Sequence, residues 1–258
     1  MIVFHKKSYL EDTEVKIAVN SPGFQYGMGF FTSLKFIDGQ AQFLNYHLER
    51  IYHSCRVFNI PFNPIDINKI IENLMKKNNL LESRIKLIIY VDEDLMGQYL
   101  IIPQNLIINK YEKNLDSVAV DRGDLILNHH KSLNYFDNIR MKNTIRENFD
   151  DLILFSKKGQ VLEATTSNIF FLDKDTLYTP PLNLPILNGI IRRVILESQD
   201  IRCVEKEISM NEIIDFAACF LTNSIKGIIP VKSIVYKSKR MIFNCENINK
   251  LPSKLLML

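Results

Sequence analysis

The chain has no tryptophan and four cysteines, and nowhere do about 18 uncharged apolar residues run together, the length a membrane-spanning helix needs. No membrane segment is expected. The opening MIVFHKKSYLEDTEVKIAV carries a charge every few residues, where a secretory signal would need an unbroken apolar stretch, so a cytoplasmic protein is expected. Cys55, Cys203, Cys219 and Cys245 lie too far apart for CxxC metal spacing, and a cytoplasmic chain of this size does not need disulfides. No metal is expected. An excess of one charge is also missing: 32 basic against 29 acidic residues leave a net +3, with no field to attract nucleic acid or anionic lipid. Internal repeats and low-complexity segments are absent too, so function must reside in local constellations.

What remains is an ordinary globular composition, 47% hydrophobic and 24% charged, in 258 residues, enough for one large domain or two modest ones. Residues 1–37 read as strands, with alternation in IVFHKKSYL and VKIAV and a further strand in FFTSLKFI closed by an Asp38-Gly39 turn. NYHLERIYHSCRVFNI sets His47, Ile51, Cys55 and Phe58 on a helical stripe, with Asn45 as N-cap and a stop before Pro61. A second helix is expected over DINKIIENLMKKNNLL, then paired strands in RIKLIIYVD and QYLIIP. The predicted organisation is α/β (α+β): a small mixed N-terminal domain over 1–115, a crossover over 116–125 and a C-terminal domain over 126–258. The latter opens with a helix in SLNYFDNIRMKNTIRENF, pairs DLILFS and SNIFFLD either side of the KKGQ turn, and starts another helix at GIIRRVILESQD. Strands CVEKEI, ACFLTN and IIPVKSIVY close it.

A few residues invite chemistry. Lys131 lies at the start of the expected KSLNY helix. Glu163, in VLEATTSNIFF, is an acid among apolar neighbours; buried, it needs a cationic or hydrogen-bonding partner, and exposed, it is an ordinary strand-edge carboxylate. In LNGIIRR a glycine precedes a helix whose first N–H groups converge with the positive end of the dipole, a terminus that accepts phosphate, although most such helices bind nothing. Arg50 lies on the helical stripe, where a solvated arginine is the ordinary alternative.

Together, YGMGFFTSLKFIDG, HLERI, KSLNYFDN, LEATTSNIFFL, LYTPPL, LNGIIRR and FLTNSIKGIIPV resemble, in order and approximate spacing, the fold-type IV pyridoxal-phosphate enzymes. That family holds branched-chain aminotransferases, D-amino acid aminotransferases and aminodeoxychorismate lyases. The resemblance spans nearly the whole chain and implies two domains with pyridoxal 5'-phosphate between them, a small-molecule substrate and a homodimer. It implies that Lys131 forms the Schiff base and shuttles the substrate proton, work that requires an amine of lowered pKa. Glu163 is implied to pair with the pyridine nitrogen. Arg50, the backbone amides of Ile190 and Ile191 and the Ser224 hydroxyl are implied to hold the phosphate. Tyr135, expected one helical turn after Lys131, is implied to lie near the phenolic oxygen, with a packed aromatic as the alternative.

Within the family three details resemble the lyase. Phe31-Thr32-Ser33 stands where many transaminases read FET, the Asn188-Gly189-Ile190-Ile191 loop lacks their usual threonine, and Asn223 replaces a common glycine. The implied reaction converts 4-amino-4-deoxychorismate to 4-aminobenzoate and pyruvate, in folate biosynthesis, with Thr32 assisting proton transfer or substrate placement and Asn223 as a substrate-binding residue. Some segments depart from the pattern: Met28 replaces a frequent aspartate, VDEDLMGQY replaces an arginine-glycine segment, and the run Asp92-Glu93-Asp94 opposes an anionic substrate. Two other readings stay open: an aminotransferase using D-amino or branched-chain amino acids, and a member that binds cofactor or a partner without turnover.

Overall fold

Alternating apolar residues in long antiparallel strands build the first half of the protein, and a computed structural model describes residues 1–108, 111–123, 125–256 and 258. Two units result, Met1–Ile108 with His130–Tyr135, and Asn109–His129 with Phe136–Leu258. The first contains β1 (Ile2–His5), β2 (Ser8–Glu11), α1 (Pro22–Tyr26), β3 (Gly29–Ile37), β4 (Gln40–Ala41), α2 (Leu44–Val57), α3 (Ile67–Lys77), β5 (Ser83–Val91) and β6 (Gly97–Gln104). Its sheet runs β2-β1-β6-β5-β3-β4, antiparallel throughout.

Period-2 alternation assigns every side chain of this sheet to one of two faces. Thr32, Leu34, Leu87, Ile89 and Ile101 are buried on the helix-covered face, in register across β3, β5 and β6. The opposite face carries Phe31, Ile88 and Tyr90, packed with Leu133 and Tyr135. The β3–β4 hairpin turns on Asp38 and Gly39, both left-handed at φ 52 and 72, as a two-residue type I′ turn requires.

The second unit contains β7 (Lys113–Val120), α4 (Phe136–Asn143), β8 (Asp151–Ser156), β9 (Val161–Ala164), β10 (Asn168–Asp173), β11 (Thr176–Thr179), α5 (Ile190–Glu197), β12 (Arg202–Glu205), β13 (Ala218–Asn223), β14 (Gly227–Tyr236), β15 (Lys239–Ile242) and α6 (Ser253–Leu256). Its sheet runs β12-β11-β10-β13-β14-β7-β8-β9, with β15 added on β14. The Phe170 and Phe220 rings stack at 5.3 Å across β10 and β13, both fully buried.

Several expectations change. VKIAV forms no strand, because Ile17 and Val19 stay exposed and no buried face rewards their alternation. Asn45 is not the N-cap: α2 opens after Phe43, so Asn45 sits in the first turn. The second helix stops at Lys77, where the Asn78 side chain binds the Leu74 carbonyl and Asn79 turns left-handed at φ 52. The hairpin partner of β8 is β9, not SNIFFLD, which pairs with β13 instead. Gly159, at φ 80, makes that turn tight enough for pairing to begin at once. Much of 116–125 is strand, since β7 lies parallel between β14 and β8; Asp124 in that stretch, and Asn109 and Lys110 before it, lie outside the described residues.

The largest change concerns Lys131. The helix expected from Ser132 begins only at Phe136, and the residues before it form an isolated antiparallel bridge with β3, Ser132 opposite Phe30, with Phe31 N donating to Lys131 O at 2.9 Å and Leu133 N to Gly29 O at 3.0 Å. Pairing with β3 takes up the backbone groups that a helix would have used. Among the described residues no helix is long and apolar enough to cross a membrane, and no acidic, histidine or cysteine cluster could hold a metal.

Truncating the stacked core is expected to be costly. Phe220→Ala lowers the unfolding free energy by about 3–5 kcal/mol, read from urea denaturation followed by circular dichroism.

Candidate active site

In the first unit, β3 presents Phe31 on one face and Thr32 on the other, and polar groups gather at each. On the Phe31 face, Lys131 Nζ donates to Tyr135 Oη at 3.3 Å and lies 4.6 and 4.7 Å from the ring centres of Phe31 and Tyr135. Lys131 and Tyr135 therefore meet as expected, although through an extended segment and not a helical turn. Lys86, from β5, places Nζ 5.1 Å from the same Phe31 ring. Burial, and the charge of Arg84 two residues earlier, lower its pKa. Arg84 itself has a buried Nε without a hydrogen-bond partner among the described residues.

On the opposite face, the fully buried Thr32 shares a 2.5 Å hydrogen bond with His47 Nδ1 and accepts from Arg50 Nη2 at 2.8 Å. Alternation thus turns the Thr32 hydroxyl toward α2 and Arg50. Burial holds His47 well below the usual imidazole range, with Arg50 and Lys131 adding to the effect, so the ring is neutral. Burial also pushes the Arg50 guanidinium down to about 10, which leaves it cationic at neutral pH. The acidic run seen in the sequence is partly spent on its own turn: Asp92 accepts from Asp94 N, Met96 N and Gln98 Nε2.

In the second unit, Glu163 is 7% exposed within β9, so it is not a solvent-facing edge residue. Nor does it lack a partner. Arg122 Nη1 donates to its Oε1 at 2.5 Å and to Pro185 O at 2.9 Å. The other oxygen accepts from Leu187 N at 3.2 Å and Asn168 Nδ2 at 3.3 Å. Sequence reasoning missed Arg122, a lone arginine in a stretch without hydrophobic period. Asn168 carried a faint signal, as a polar residue opening the apolar run NIFFL.

The helix expected after LNG is α5, capped by Gly189, with the Ile190 and Ile191 side chains buried. Its first backbone N–H groups have no intrahelical acceptor. A Cβ on Gly189 would fall 2.0 Å from Asn168 Oδ1. Across the sheet from Asn168, Thr222 buries a hydroxyl that has no hydrogen-bond partner among the described residues. Asn223 accepts from Ile225 N and Lys226 N and donates to Ser167 Oγ, which shapes the turn that carries Ser224. These features fit the phosphorylated pyridine implied above: an orphaned buried hydroxyl, a helix start stripped of side chain, and a fixed carboxylate.

The family model described as amino-transferase class IV matches residues 29–234. A provisionally named branched-chain-amino-acid aminotransferase of Methanocaldococcus jannaschii is 27% identical over 255 residues, covering 91% of this chain and 88% of the relative. The aminodeoxychorismate lyase of Bacillus subtilis is 24% identical over 256 residues, covering 90% and 86%. A solved structure from Legionella pneumophila, provisionally named a 4-amino-4-deoxychorismate lyase, is 28% identical with a TM-score of 0.85, covering 96% of each chain.

The neutral His47 has a thermodynamic consequence. Below its ordinary value of 6.5 the unfolded chain takes up a proton that the folded chain refuses, so stability falls as pH drops, by up to about 1.4 kcal/mol per pH unit for one such group. His5, lowered by burial and by Lys6, acts in the same direction. His47→Asn is expected to flatten the dependence of the urea midpoint between about pH 6.5 and 5; an unchanged slope would contradict the assignment.

Proposed function

We propose, since this chain belongs to the amino-transferase class IV family and shares the mixed α/β fold of the fold-type IV enzymes, that it is a lyase for a dicarboxylate amine. The reaction is conversion of 4-amino-4-deoxychorismate to 4-aminobenzoate and pyruvate. Its cofactor is pyridoxal 5'-phosphate, which when bound draws electron density from the carbon bearing the substrate amine.

The observation that carries the substrate class is the pair Arg84 and Lys86, on the same sheet face as the Lys131 amine. Among the described residues no carboxylate lies within ion-pair reach of either, and Arg84 Nε has no acceptor. Two half-buried cations two residues apart on one strand disfavour each other unless an anion sits with them. An aliphatic side chain would leave both uncompensated. Two carboxylates would not.

In this reading Lys131 would hold the cofactor and, freed as an amine when the substrate amine takes its place, its Nζ would accept the proton from the amine-bearing ring carbon, with Tyr135 Oη as a hydrogen-bond partner to that nitrogen. The C–O bond to enolpyruvate at the neighbouring carbon would then break as the ring becomes aromatic, and the proton on Nζ would pass to the departing enolpyruvate to give pyruvate. Glu163 would pair with the pyridine nitrogen of the cofactor, with Arg122 fixing one of its oxygens. Arg50, the amides of Ile190 and Ile191 and the Ser224 hydroxyl hold the phosphate. Thr32 acts through Arg50, whose guanidinium it accepts from, and Asn223 borders the substrate. A cytoplasmic homodimer serving folate synthesis belongs to the same reading. An aminotransferase is the second reading, favoured by the 27% identity to the Methanocaldococcus relative; an acidic amino donor would use the same cations.

Purified protein supplied with cofactor is expected to show a visible absorbance band that Lys131→Ala removes. Aminodeoxychorismate made in situ by its synthase then yields 4-aminobenzoate. An amino donor with 2-oxoglutarate yielding a new amino acid, and no 4-aminobenzoate, would overturn the lyase in favour of the aminotransferase. Lys86→Met and Arg84→Met each raise KM about tenfold or more, the loss of one charge-assisted contact, with a smaller effect on kcat; unchanged KM values would remove the dicarboxylate argument.

A further inference from the structure

Asn168 stands where three parts of the second unit meet. It opens β10, is 5% exposed, and lies opposite Thr222 of β13. Its Nδ2 donates to Leu187 O at 2.7 Å and to Glu163 Oε2 at 3.3 Å. Its Oδ1 faces Gly189 so closely that a Cβ there would fall 2.0 Å away, with Asn168 Cγ at 3.2 Å and the next neighbour, Arg192 Cβ, at 3.8 Å. Leu187 N closes the circuit by donating back to Glu163 Oε2 at 3.2 Å. One amide therefore touches the carboxylate, the loop before α5 and the cap residue of α5.

The far side of that helix start is fixed independently. Arg192, almost fully buried, donates to Asn188 Oδ1 at 3.3 Å and Pro180 O at 2.9 Å and pairs with Glu205. The helix thus has a firm anchor, and Asn168, beside Leu187 N, links it to Glu163. Without Asn168, Oε2 of Glu163 would keep only the 3.2 Å bond from Leu187 N, on a loop that Asn168 itself holds through Leu187 O, so both the carboxylate torsion and the loop would loosen together.

We propose that Asn168 is a positioning residue that locks the Glu163 carboxylate to the start of α5, so that the carboxylate and the amides of Ile190 and Ile191 keep one fixed mutual geometry. This rests on the reading of Glu163 and α5 as cofactor-holding groups. Asparagine is the side chain the circuit requires. Both partners of Nδ2 are acceptors, so a near-isosteric aspartate would oppose a carbonyl and a second carboxylate, and alanine would abolish both contacts. Gly189 is the other half of the device: it is small because Asn168 occupies the space of its side chain.

The test is a double-mutant cycle of Asn168→Ala and Gly189→Ala, read by titrating apoprotein with pyridoxal phosphate and following the visible band, with thermal midpoints recorded alongside. Each single variant is expected to weaken cofactor binding about tenfold or more. The double variant binds no more weakly than Asn168→Ala, because the added Cβ then meets nothing closer than 3.8 Å. Asn168→Asp, which keeps the shape, is expected to bind poorly at neutral pH and to regain affinity as pH falls and a proton restores the donor. A purely packing role for Asn168 predicts lower thermal midpoints with unchanged cofactor affinity, and that result, or additive losses in the cycle, overturns the proposal. Failure of the wild-type protein to take up any pyridoxal phosphate would instead overturn the cofactor reading beneath it.

Discussion

The hydrogen bond from Phe31 N to Lys131 O, at 2.9 Å, fixes more of the first unit's chemistry than any side-chain contact. It makes the Lys131 segment an added edge of β3, and strand alternation then decides which groups meet. Phe31 and the Lys131 amine fall on one face, Thr32 and Arg50 on the other. A slip of one residue would exchange these sets, putting an amine against α2 and a hydroxyl among aromatic rings. The long register of β3 with β5, from Gly29 to Phe36, is what resists such a slip.

Placement of charge follows from that register. Thr32 gives Arg50 a neutral acceptor, where a carboxylate would cancel the charge that the proposed phosphate-holding role requires. His47 completes the arrangement by staying neutral, since a second buried cation beside Arg50 would be costly. In the second unit the opposite choice is made. Glu163 meets Arg122 directly, and the ion pair is tied to backbone through Pro185 and Leu187, so neither charge is left with unfilled hydrogen-bonding capacity on its buried side.

Much of this was legible in the sequence, and the parts that were not share a cause. The β5–β6 pair, the buried stripe of α2 and the Asp38-Gly39 turn follow from local pattern, because each element's partner is its neighbour in the chain. The Lys131 segment failed because its extended form depends on β3, about a hundred residues earlier, and helical period in the following residues masked that pairing. Glu163 was legible as a buried acid needing a partner. Arg122 was not legible as that partner, since an aperiodic stretch carries no information about where its side chains point. Asn168 and Gly189 show the same limit: each is unremarkable alone, and only their 2.0 Å exclusion marks them as a pair.

The polar clusters around Glu163 and around Lys86, each within its own unit, differ in how complete they are. Around Glu163 each carboxylate oxygen is already bonded, and such a circuit costs no reorganisation when a ligand arrives, the condition for electrostatic preorganisation. Around Lys86 the balance is unfinished, with two cations, a lowered ammonium pKa and a buried guanidinium nitrogen lacking an acceptor. A protein tolerates that cost where a ligand of opposite charge completes the set. On the proposed reading the finished cluster serves a group shared by every reaction of the family, and the unfinished one the molecule that distinguishes one member's reaction from another's.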